Sequence, residues 1–237
     1  MSAYKYSLDV DIHDIDYNGV ARASALLKYM QTAAQSQLTY NGMTYENLYS
    51  QNRAFLLSRI RIEFDEPVRA YQKLTATSFP CESRGYSFLR CYKLERDGIT
   101  ICRAASLWAL INTDTRALVR VNDFALDLPL LKPLDLTINR FRMPDNLTDV
   151  GTYQVTYGTV DQNRHMNNTT YPDMYSSFLP LNSKRFKSIT INYANEAPMG
   201  EVLRVQKGDY DGIYYFRTIR SDGKINSEAE IELTDIK

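Results

Sequence analysis

The same order of predicted elements occurs twice along this chain, and that repeat constrains the fold more than any other feature of its 237 residues. In the first copy a strand is predicted at residues 4–12, and an amphipathic helix at residues 21–37 carries Leu26, Leu27 and Met30 at helical spacing. Strand patterns separated by turns follow at residues 59–64, 73–80, 86–95 and 99–112. One helix followed by antiparallel strands predicts an α+β fold in which a sheet wraps around the helix.

The second copy keeps this order on a shorter scale. A strand is predicted at residues 152–159 and a short helix at residues 169–179, where Pro172 is tolerable only in the first turn. Further strands are predicted at residues 188–193, 201–210, 213–219 and 226–233. The chain is therefore predicted to hold two copies of one fold in tandem.

Two anchors support the repeat. Asp16 and Asn18 recur 145 residues later as Asp161 and Asn163, between the strand and the helix of each copy. An Asp-Gly hairpin pair at 97–98 recurs 125 residues later, so the second copy is shorter between helix and hairpin. These matches divide the chain into a first copy at 1–126, a proline-containing linker at 127–150 and a second copy at 151–237.

Composition excludes several classes of protein. Lys plus Arg and Asp plus Glu both number 28, so no basic excess indicates a nucleic-acid partner. No apolar stretch reaches the length that a membrane helix needs, and the first residues do not resemble a signal peptide. The three cysteines lack metal-ligand spacing and are odd in number, which predicts buried thiols and neither a zinc site nor a disulfide framework. We expect a cytoplasmic protein that is not inserted in a membrane.

Three polar motifs carry a family resemblance. Residues 160–171 read Val-Asp-Gln-Asn-Arg-His-Met-Asn-Asn-Thr-Thr-Tyr and resemble the D-x-N-x-H-x-N-N-x-x-Y signature of the acyl-acyl-carrier-protein thioesterases. Residues 108–116 resemble the W-x-x-x-N-x-x-T-R segment of that family, and residues 193–196 resemble its Y-x-x-E segment. The resemblance runs over nearly the whole chain. It implies a tandem, or double, hotdog fold, each copy being an antiparallel sheet around a central helix.

The resemblance also implies an activity. These enzymes hydrolyse the thioester of an acyl chain on acyl carrier protein and release free fatty acid, which ends fatty acid synthesis, without a metal or cofactor. The implied catalytic residues are Asp161, Asn163, His165 and Glu196. Plant members carry a cysteine directly after the glutamate, where this chain has Ala197. The resemblance therefore leaves attack by water, or by the Glu196 carboxylate itself.

The chemistry of the residues is compatible with hydrolysis. A histidine side chain titrates near neutral pH, so His165 is suited to proton transfer, and Glu196 is a candidate general base. Asn163 offers an amide to fix water or the histidine, and Asp161 a carboxylate to hold the loop. Backbone N–H groups near Asn168 are candidates to bind the thioester oxygen. Without the resemblance, turn formation and helix capping are the more common roles of such Asp and Asn side chains.

The first copy lacks the histidine, because Val20 stands where the second copy has His165. This predicts a division of labour, in which the second copy supplies the chemistry and the first shelters the acyl chain. Leu26, Leu27, Met30 and Trp108 are the candidate lining, with core packing as the alternative role of each.

An acidic carrier protein requires a local basic surface, for which the cluster of Lys184, Arg185 and Lys187 is the candidate, with a solvated loop as its alternative role. A hotdog esterase acting on acyl coenzyme A, and an acyl-binding protein without activity, remain as alternatives to the carrier-protein thioesterase. Because one chain supplies both copies, the expected assembly is a monomer or a homodimer.

Overall fold

The computed structural model describes residues 3–124 and 127–236. The last residue of the predicted first copy and the ends of the chain lie outside the described residues, so the boundary at residue 126 is a sequence inference. The first half contains strands β1 (Tyr4–Asp9), β2 (Arg53–Phe64), β3 (Lys73–Pro80), β4 (Phe88–Arg96), β5 (Ile99–Asn112) and β6 (Leu118–Val119), with helices α1 (Ala23–Tyr40) and α2 (Tyr45–Ser50). The second half contains β7 (Thr148–Gln154), α3 (Tyr171–Ser176), β8 (Lys184–Tyr193), β9 (Val202–Tyr210), β10 (Ile213–Ile219) and β11 (Ile225–Asp235).

All the described strands belong to one antiparallel sheet. Its order is β1-β3-β4-β5-β2-β8-β11-β10-β9-β7, and β6 pairs with β5. From each edge to the middle of the sheet, the two halves have the same strand order. The first half contributes β1, β3, β4, β5 and β2, and the second half contributes the corresponding strands β7, β9, β10, β11 and β8. The halves meet where β2 pairs with β8 through five residues, from Arg59↔Asn192 to Glu63↔Ser188. The α+β prediction of two wrapped copies, a double hotdog, is therefore confirmed.

Helices α1 and α3 pack on the same face of this sheet, and a single hydrophobic core runs through both halves. Leu27 and Met30 of α1, Ile60 of β2, Ile189 of β8 and Tyr175 of α3 belong to the same buried cluster. The wrapping buries the apolar stripe of α1 against β1, β3 and β4. Because the core is shared, we expect the halves to unfold together.

The linker crosses the opposite face of the sheet. Leu131, Leu134, Leu136 and Ile138 pack against a small buried cluster that includes Cys81 and Cys91. The cysteine prediction holds, since all three thiols are free and buried. Residues 148–150 were predicted as linker but belong to β7, because Thr148 pairs with Lys207 of β9.

Several predicted boundaries were wrong for local reasons. The strand predicted at 152–159 ends at Gln154, and residues 157–159 form a 3-10 turn that Thr156 and Thr159 cap reciprocally. The helix predicted at 169–179 is a 3-10 turn at 168–170 followed by α3, which ends at Ser176. The Ser176 and Ser177 hydroxyls donate to carbonyls four residues back, which competes with helix continuation. Pro172 lies in the first turn of α3, as predicted.

Candidate active site

The loop that carries His165 has the same conformation as its counterpart in the first half. The Asp161 carboxylate accepts from the Asn163 amide at 2.8 Å, and the Asp16 carboxylate accepts from the Asn18 amide at 2.9 Å. The Asp161 amide donates to the carbonyl of His165, as the Asp16 amide does to that of Val20. Arg164 adopts φ 63° where Gly19 adopts φ 76°, so the second copy keeps a left-handed turn without a glycine. The shift of 145 residues is therefore structurally real.

His165 and Glu196 lie side by side at the edge of the second half. The His165 Nδ1 atom is 3.7 Å from Glu196 Oε1, and each side chain is 33% exposed. The other carboxylate oxygen, Oε2, accepts from Arg116 Nη2 at 3.0 Å. Arg116 comes from the turn after β5 of the first half, so both halves build this cluster. A carboxylate held by a guanidinium presents its free oxygen to the imidazole in one orientation.

The segment that follows β8 positions Glu196. Met166 donates to the carbonyl of Ala197 at 2.8 Å, which fixes the histidine loop against this segment. Arg220 Nη1 donates to the carbonyl of Glu196 at 3.0 Å. The Asn226 side chain is completely buried and its Nδ2 donates to the carbonyl of Asn195 and to the Tyr171 hydroxyl. Glu196 is therefore held on a backbone that is anchored on three sides.

Asp161 and Asn163 lie in the histidine loop but make other contacts. The Asp161 carboxylate holds the turn, in line with the loop-holding role proposed for it. The Asn163 Oδ1 atom accepts from the hydroxyl of Tyr45, at the start of α2 in the first half, at 3.0 Å. The structure thus brings His165 and Glu196 together directly, and places Asp161 and Asn163 one turn away on the supporting loop.

The motif residues near α3 mainly hold the local structure through hydrogen bonds to neighbouring groups. The Asn167 side chain caps the 3-10 turn by accepting from Thr169 at 2.9 Å, as the capping alternative predicted. The carbonyl of Asn168 accepts from the Tyr193 hydroxyl at 3.0 Å. Tyr171 and Tyr193 meet edge to face at 5.0 Å, and burial raises the pKa of Tyr171 to about 12, so it acts as a neutral hydrogen-bonding group. The backbone N–H of Asn168 has no acceptor among the described residues.

The residues predicted to line an acyl pocket lie in the first half. Leu27 and Met30 are completely buried in the common core. Trp108 packs against Phe88 and donates to Ser106 Oγ at 2.7 Å. Leu26 borders a cleft of about 620 Å³ beside Val20, the counterpart of His165. That cleft is lined by neither His165 nor Glu196, so Leu26 faces the end of the molecule that lacks the histidine.

The predicted docking cluster lies at the beginning of β8, whereas Glu196 follows the end of that strand. At about 3.3 Å per residue, Lys184 and Lys187 are about 20 to 30 Å from Tyr193 along the strand. The Arg185 guanidinium donates to the carbonyls of Phe64 and Asp65, and Lys187 Nζ contacts Glu232 at 2.8 Å. Two of the three cations are thus already engaged.

Sequence reasoning missed three residues of this site: Arg116, Tyr45 and Asn226. Arg116 is the last residue of the W-x-x-x-N-x-x-T-R segment. Its place in a motif of the family could have marked it as a candidate site residue. Its φ of 60° marks a strained, well-held turn. Tyr45 and Asn226 lie in segments that match no motif, and only tertiary pairing brings them to the site.

Family models match both halves of the chain. The model described as the acyl-ACP thioesterase N-terminal domain matches residues 1–128, and the model of the C-terminal domain matches residues 144–235. The chain belongs to the acyl-ACP thioesterase family. The resemblance carried by the three motifs is therefore confirmed.

Two proteins of known structure that are named as acyl-ACP thioesterases share the fold of this chain. An acyl-ACP thioesterase from Bacteroides thetaiotaomicron matches with a TM-score of 0.89 at 21% identity, over 97% of both chains. The 12:0-ACP thioesterase from Umbellularia californica matches with a TM-score of 0.82 at 16% identity, over 98% of this chain and 97% of that one. At these identities the matches establish the fold.

A curated relative is the chloroplastic oleoyl-acyl carrier protein thioesterase 2 of Arabidopsis thaliana, at 22% identity. The match covers 85% of this chain and 61% of that protein, so the chain spans less than two thirds of the relative's length. No helix among the described residues is both long and apolar enough to cross a membrane.

The contact between Tyr45 and Asn163 has a natural control in the other half. Tyr17 donates to Asn182 Oδ1 at 2.7 Å, joining the counterpart loop to the segment after α3. We expect Tyr45→Phe to lower kcat about three- to tenfold, because the histidine loop loses its tie to α2, and Tyr17→Phe to leave kcat within about twofold. Both variants are expected to lose about 0.5 to 1.5 kcal/mol of unfolding free energy. Steady-state kinetics with urea unfolding tests this, and equal kcat values would contradict it.

Proposed function

We propose that this protein hydrolyses acyl thioesters of acyl carrier protein and releases free fatty acid, thereby ending chain elongation. The observation that carries the proposal is the His165 imidazole 3.7 Å from a Glu196 carboxylate whose second oxygen is held by Arg116. This arrangement comes from all three motifs of the family and from both halves of the chain. The relatives of known structure and the curated relative are named as thioesterases for acyl carrier protein or oleoyl substrates, which supports the same chemistry.

The reaction needs a base for water and a donor for the thioester oxygen. The Arg116 ion pair occupies Oε2, so Oε1 remains to orient His165 through Nδ1. His165 Nε2 then takes a proton as the water oxygen bonds to the carbonyl carbon. The carbon–sulfur bond breaks as the carbonyl re-forms, and the thiolate leaves and takes up the proton. The backbone N–H of Asn168 has no acceptor among the described residues. It is therefore the candidate donor to the carbonyl oxygen of the thioester.

Ala197 supports this route over a cysteine mechanism. Its side chain is 1% exposed and belongs to the hydrophobic core, so the residue after Glu196 contributes packing and no nucleophile. Attack by the Glu196 carboxylate is the remaining alternative to water. Hydroxylamine added during turnover distinguishes them, because it traps an acyl–glutamate anhydride as a protein-bound hydroxamate and leaves the water route unlabelled.

We further propose that the two halves divide the work. The second half, from residue 151, supplies His165 and Glu196, and the first half, up to residue 126, shelters the acyl chain between α1 and its sheet. Helix α1 has 18 residues and α3 has six. This difference supports the division, because the longer helix has more apolar surface to pack beside an acyl chain.

Both halves contribute to one sheet within the chain, so a monomer supplies a complete site and a homodimer adds no necessary residue. The free thiols support a cytoplasmic location.

The deciding experiment is turnover on the same acyl groups attached to acyl carrier protein and to coenzyme A, over a panel of chain lengths. Higher kcat/KM on the carrier protein supports the proposal. Higher kcat/KM on coenzyme A supports an acyl-CoA thioesterase instead, and binding of acyl groups without hydrolysis supports an acyl-binding protein.

Docking of an acidic carrier is tested by charge reversal. The cluster of Lys184, Arg185 and Lys187 stays a prediction, but its distance from Glu196 favours a surface beside the site that contains Arg53 and Arg164. Arg164 precedes His165 and is exposed, and Arg53 pairs with Asn112 next to the Arg116 turn.

We expect Arg53→Glu combined with Arg164→Glu to raise KM for the acyl carrier substrate about tenfold at low salt. The matched pair Lys184→Glu and Lys187→Glu is expected to change that KM less than twofold. Steady-state kinetics at two salt concentrations provides the measurement. A tenfold effect of the second pair alone would place docking at the start of β8.

A further inference from the structure

The two halves of the chain fix their loops by the same hydrogen bond. In the first half the Ala21 amide donates to the carbonyl of Val68 at 2.7 Å, which repeats the bond that fixes the histidine loop of the second half. The residue before Val68 is Pro67, which therefore takes the place of Glu196. Because β2 and β8 pair antiparallel in the middle of the sheet, a two-fold axis perpendicular to the sheet relates the halves.

The cleft of about 620 Å³ in the first half is the counterpart of the catalytic end of the molecule. Three of its lining residues correspond to residues of the proposed site: Val20 to His165, Ala23 to Asn168 and Pro67 to Glu196. Helix α3 of the second half provides another wall of this cleft and contributes Ser176. The two-fold relation therefore makes α1 a wall of the catalytic end. The counterpart of Ser176 there is Gln31, 145 positions earlier.

The packing of α1 also places Gln31 near the histidine loop. Helix α1 packs against α3 and against the 3-10 turn at residues 168–170. Asp173 of α3 lies beside α1, since burial raises the pKa of its carboxyl while the Ser24 hydroxyl and the Lys28 charge lower it. Gln31 is on the same face of α1 as Ser24, seven residues further along. Because the axis makes the helices antiparallel, this direction leads to the turn that contains Asn168.

The amide group of Gln31 lacks a hydrogen bond. Its side chain is half-buried, and its Nε2 atom is buried without a partner in the part of the chain that the structure describes. A buried N–H group without an acceptor is costly, because its bond to water is lost and nothing replaces it. The backbone N–H of Asn168, at the same end of the molecule, also lacks an acceptor there. An oxygen that gains negative charge is stabilised by such a pair of donors.

We propose that Gln31 Nε2 and the backbone N–H of Asn168 together bind the thioester oxygen, so that α1 of the first half supplies one of the two donors. This inference rests on the proposed function, because it places the thioester carbon beside His165. As the water oxygen bonds to that carbon and its proton passes to His165, the carbonyl electron pair moves to the oxygen held by the two N–H groups. The pair returns when the carbon–sulfur bond breaks.

The first test compares Gln31→Met with Gln35→Met. Methionine keeps the length of the side chain and its helix propensity and removes the amide. We expect Gln31→Met to lower kcat on an acyl carrier protein substrate about 10²-fold, with KM within about twofold of the wild-type value. Gln35 is the matched control, because it lies one turn further along α1, is exposed and donates to Thr39 Oγ1 at 3.4 Å. Gln35→Met is expected to keep the wild-type kcat.

Unfolding in urea separates catalysis from a structural role. Gln31→Met removes a buried amide that has no partner in the described structure, so the urea concentration at the unfolding midpoint is expected to stay the same or rise. A glutamine that acted structurally would lower the midpoint together with kcat. A folded Gln31→Met protein with the wild-type kcat, or one that loses kcat and midpoint together, would overturn the proposal.

Binding without turnover provides the second test. The probes are two analogues of an acyl-pantetheine: an amide, which keeps the carbonyl oxygen, and a thioether, in which a methylene group replaces the carbonyl. Measured by calorimetry, Gln31→Met is expected to bind the amide about fivefold more weakly than the wild type and the thioether equally well. Equal effects on both analogues would overturn the proposal. A wild-type protein that hydrolyses no acyl thioester would instead contradict the proposed function, while a selective effect on the amide would still support Gln31 as the donor.

Discussion

Replacing His165 by alanine is expected to lower kcat by about 10²- to 10⁴-fold, with a much smaller change in KM. The imidazole beside Glu196 is the group proposed to take the proton from water, and a water molecule in its place is a far weaker base. Glu196→Gln is expected to lower kcat by about 10- to 10³-fold, because the amide leaves the imidazolium of the transition state without its counter-charge. Single-turnover rates on an acyl carrier protein substrate provide the measurement.

The second histidine of the chain provides the control. His13 lies in an exposed 3-10 turn of the first half, and His13→Ala is expected to keep the wild-type rate. Circular dichroism and unfolding in urea establish that the His165 variant is folded, since the side chain is one third exposed and contributes little to the core. A folded His165→Ala protein with the full rate would refute the assigned site.

Replacing Asn226 by alanine is expected to lower the free energy of unfolding by about 2 to 4 kcal/mol. The substitution removes three hydrogen bonds: it leaves the Tyr171 hydroxyl and the carbonyl of Asn195 without a partner among the described residues, and the Thr218 hydroxyl with Ser227 alone. All of them lie in or beside the buried layer under α3, where water does not replace the amide. Chemical denaturation monitored by tyrosine fluorescence measures the change. Because Asn226 also anchors the segment before Glu196, kcat is expected to fall about tenfold.

Asn182→Ala serves as the comparison for Asn226→Ala. Asn182 is exposed and accepts a single hydrogen bond, from Tyr17, so its loss is expected to cost about 0.5 to 1.5 kcal/mol, as for Tyr17→Phe. Equal unfolding free energies for the two variants would mean that the buried amide contributes no more than a surface contact, contrary to our account. A stable Asn226→Ala protein with reduced kcat would separate positioning from stability.

The fold was predictable because its pattern occurs twice. The conformation shared by the loops at Asp16 and Asp161 depends on a side chain bonding to a backbone group two residues away, which local sequence determines. Helix α3 was predicted to be too long, because the hydrophobic spacing continues to Leu179. The hydrogen bonds from the Ser176 and Ser177 hydroxyls to backbone carbonyls, which accompany the end of the helix, cannot be read from hydrophobic periodicity. The short helix α2 has only six residues, too few for a periodic signal.

The site was predictable in its motifs and not in its geometry. His165 and Glu196 are 31 positions apart in the chain, and a shared motif set was needed to connect them. Arg116 reaches Glu196 from the other half, because the pairing of β2 with β8 aligns the two halves of the one sheet. Periodicity does not specify that alignment. The burial of Arg90 was equally hidden: this residue of β4 is 7% exposed and donates to Gln37 and Ser78, whereas an arginine in an alternating strand is expected on the solvent side.

The pairing of β2 with β8 also bears on how the chain avoids association with other copies of itself. Either half alone would leave this strand as an open edge at the point where Ile60 and Ile62, or Ile189 and Ile191, are completely buried in the joined sheet. Such edges recruit strands from other molecules. The linker keeps the matching edge on the same chain, at a local concentration of the order of millimolar, so the correct pairing outcompetes intermolecular contacts during folding.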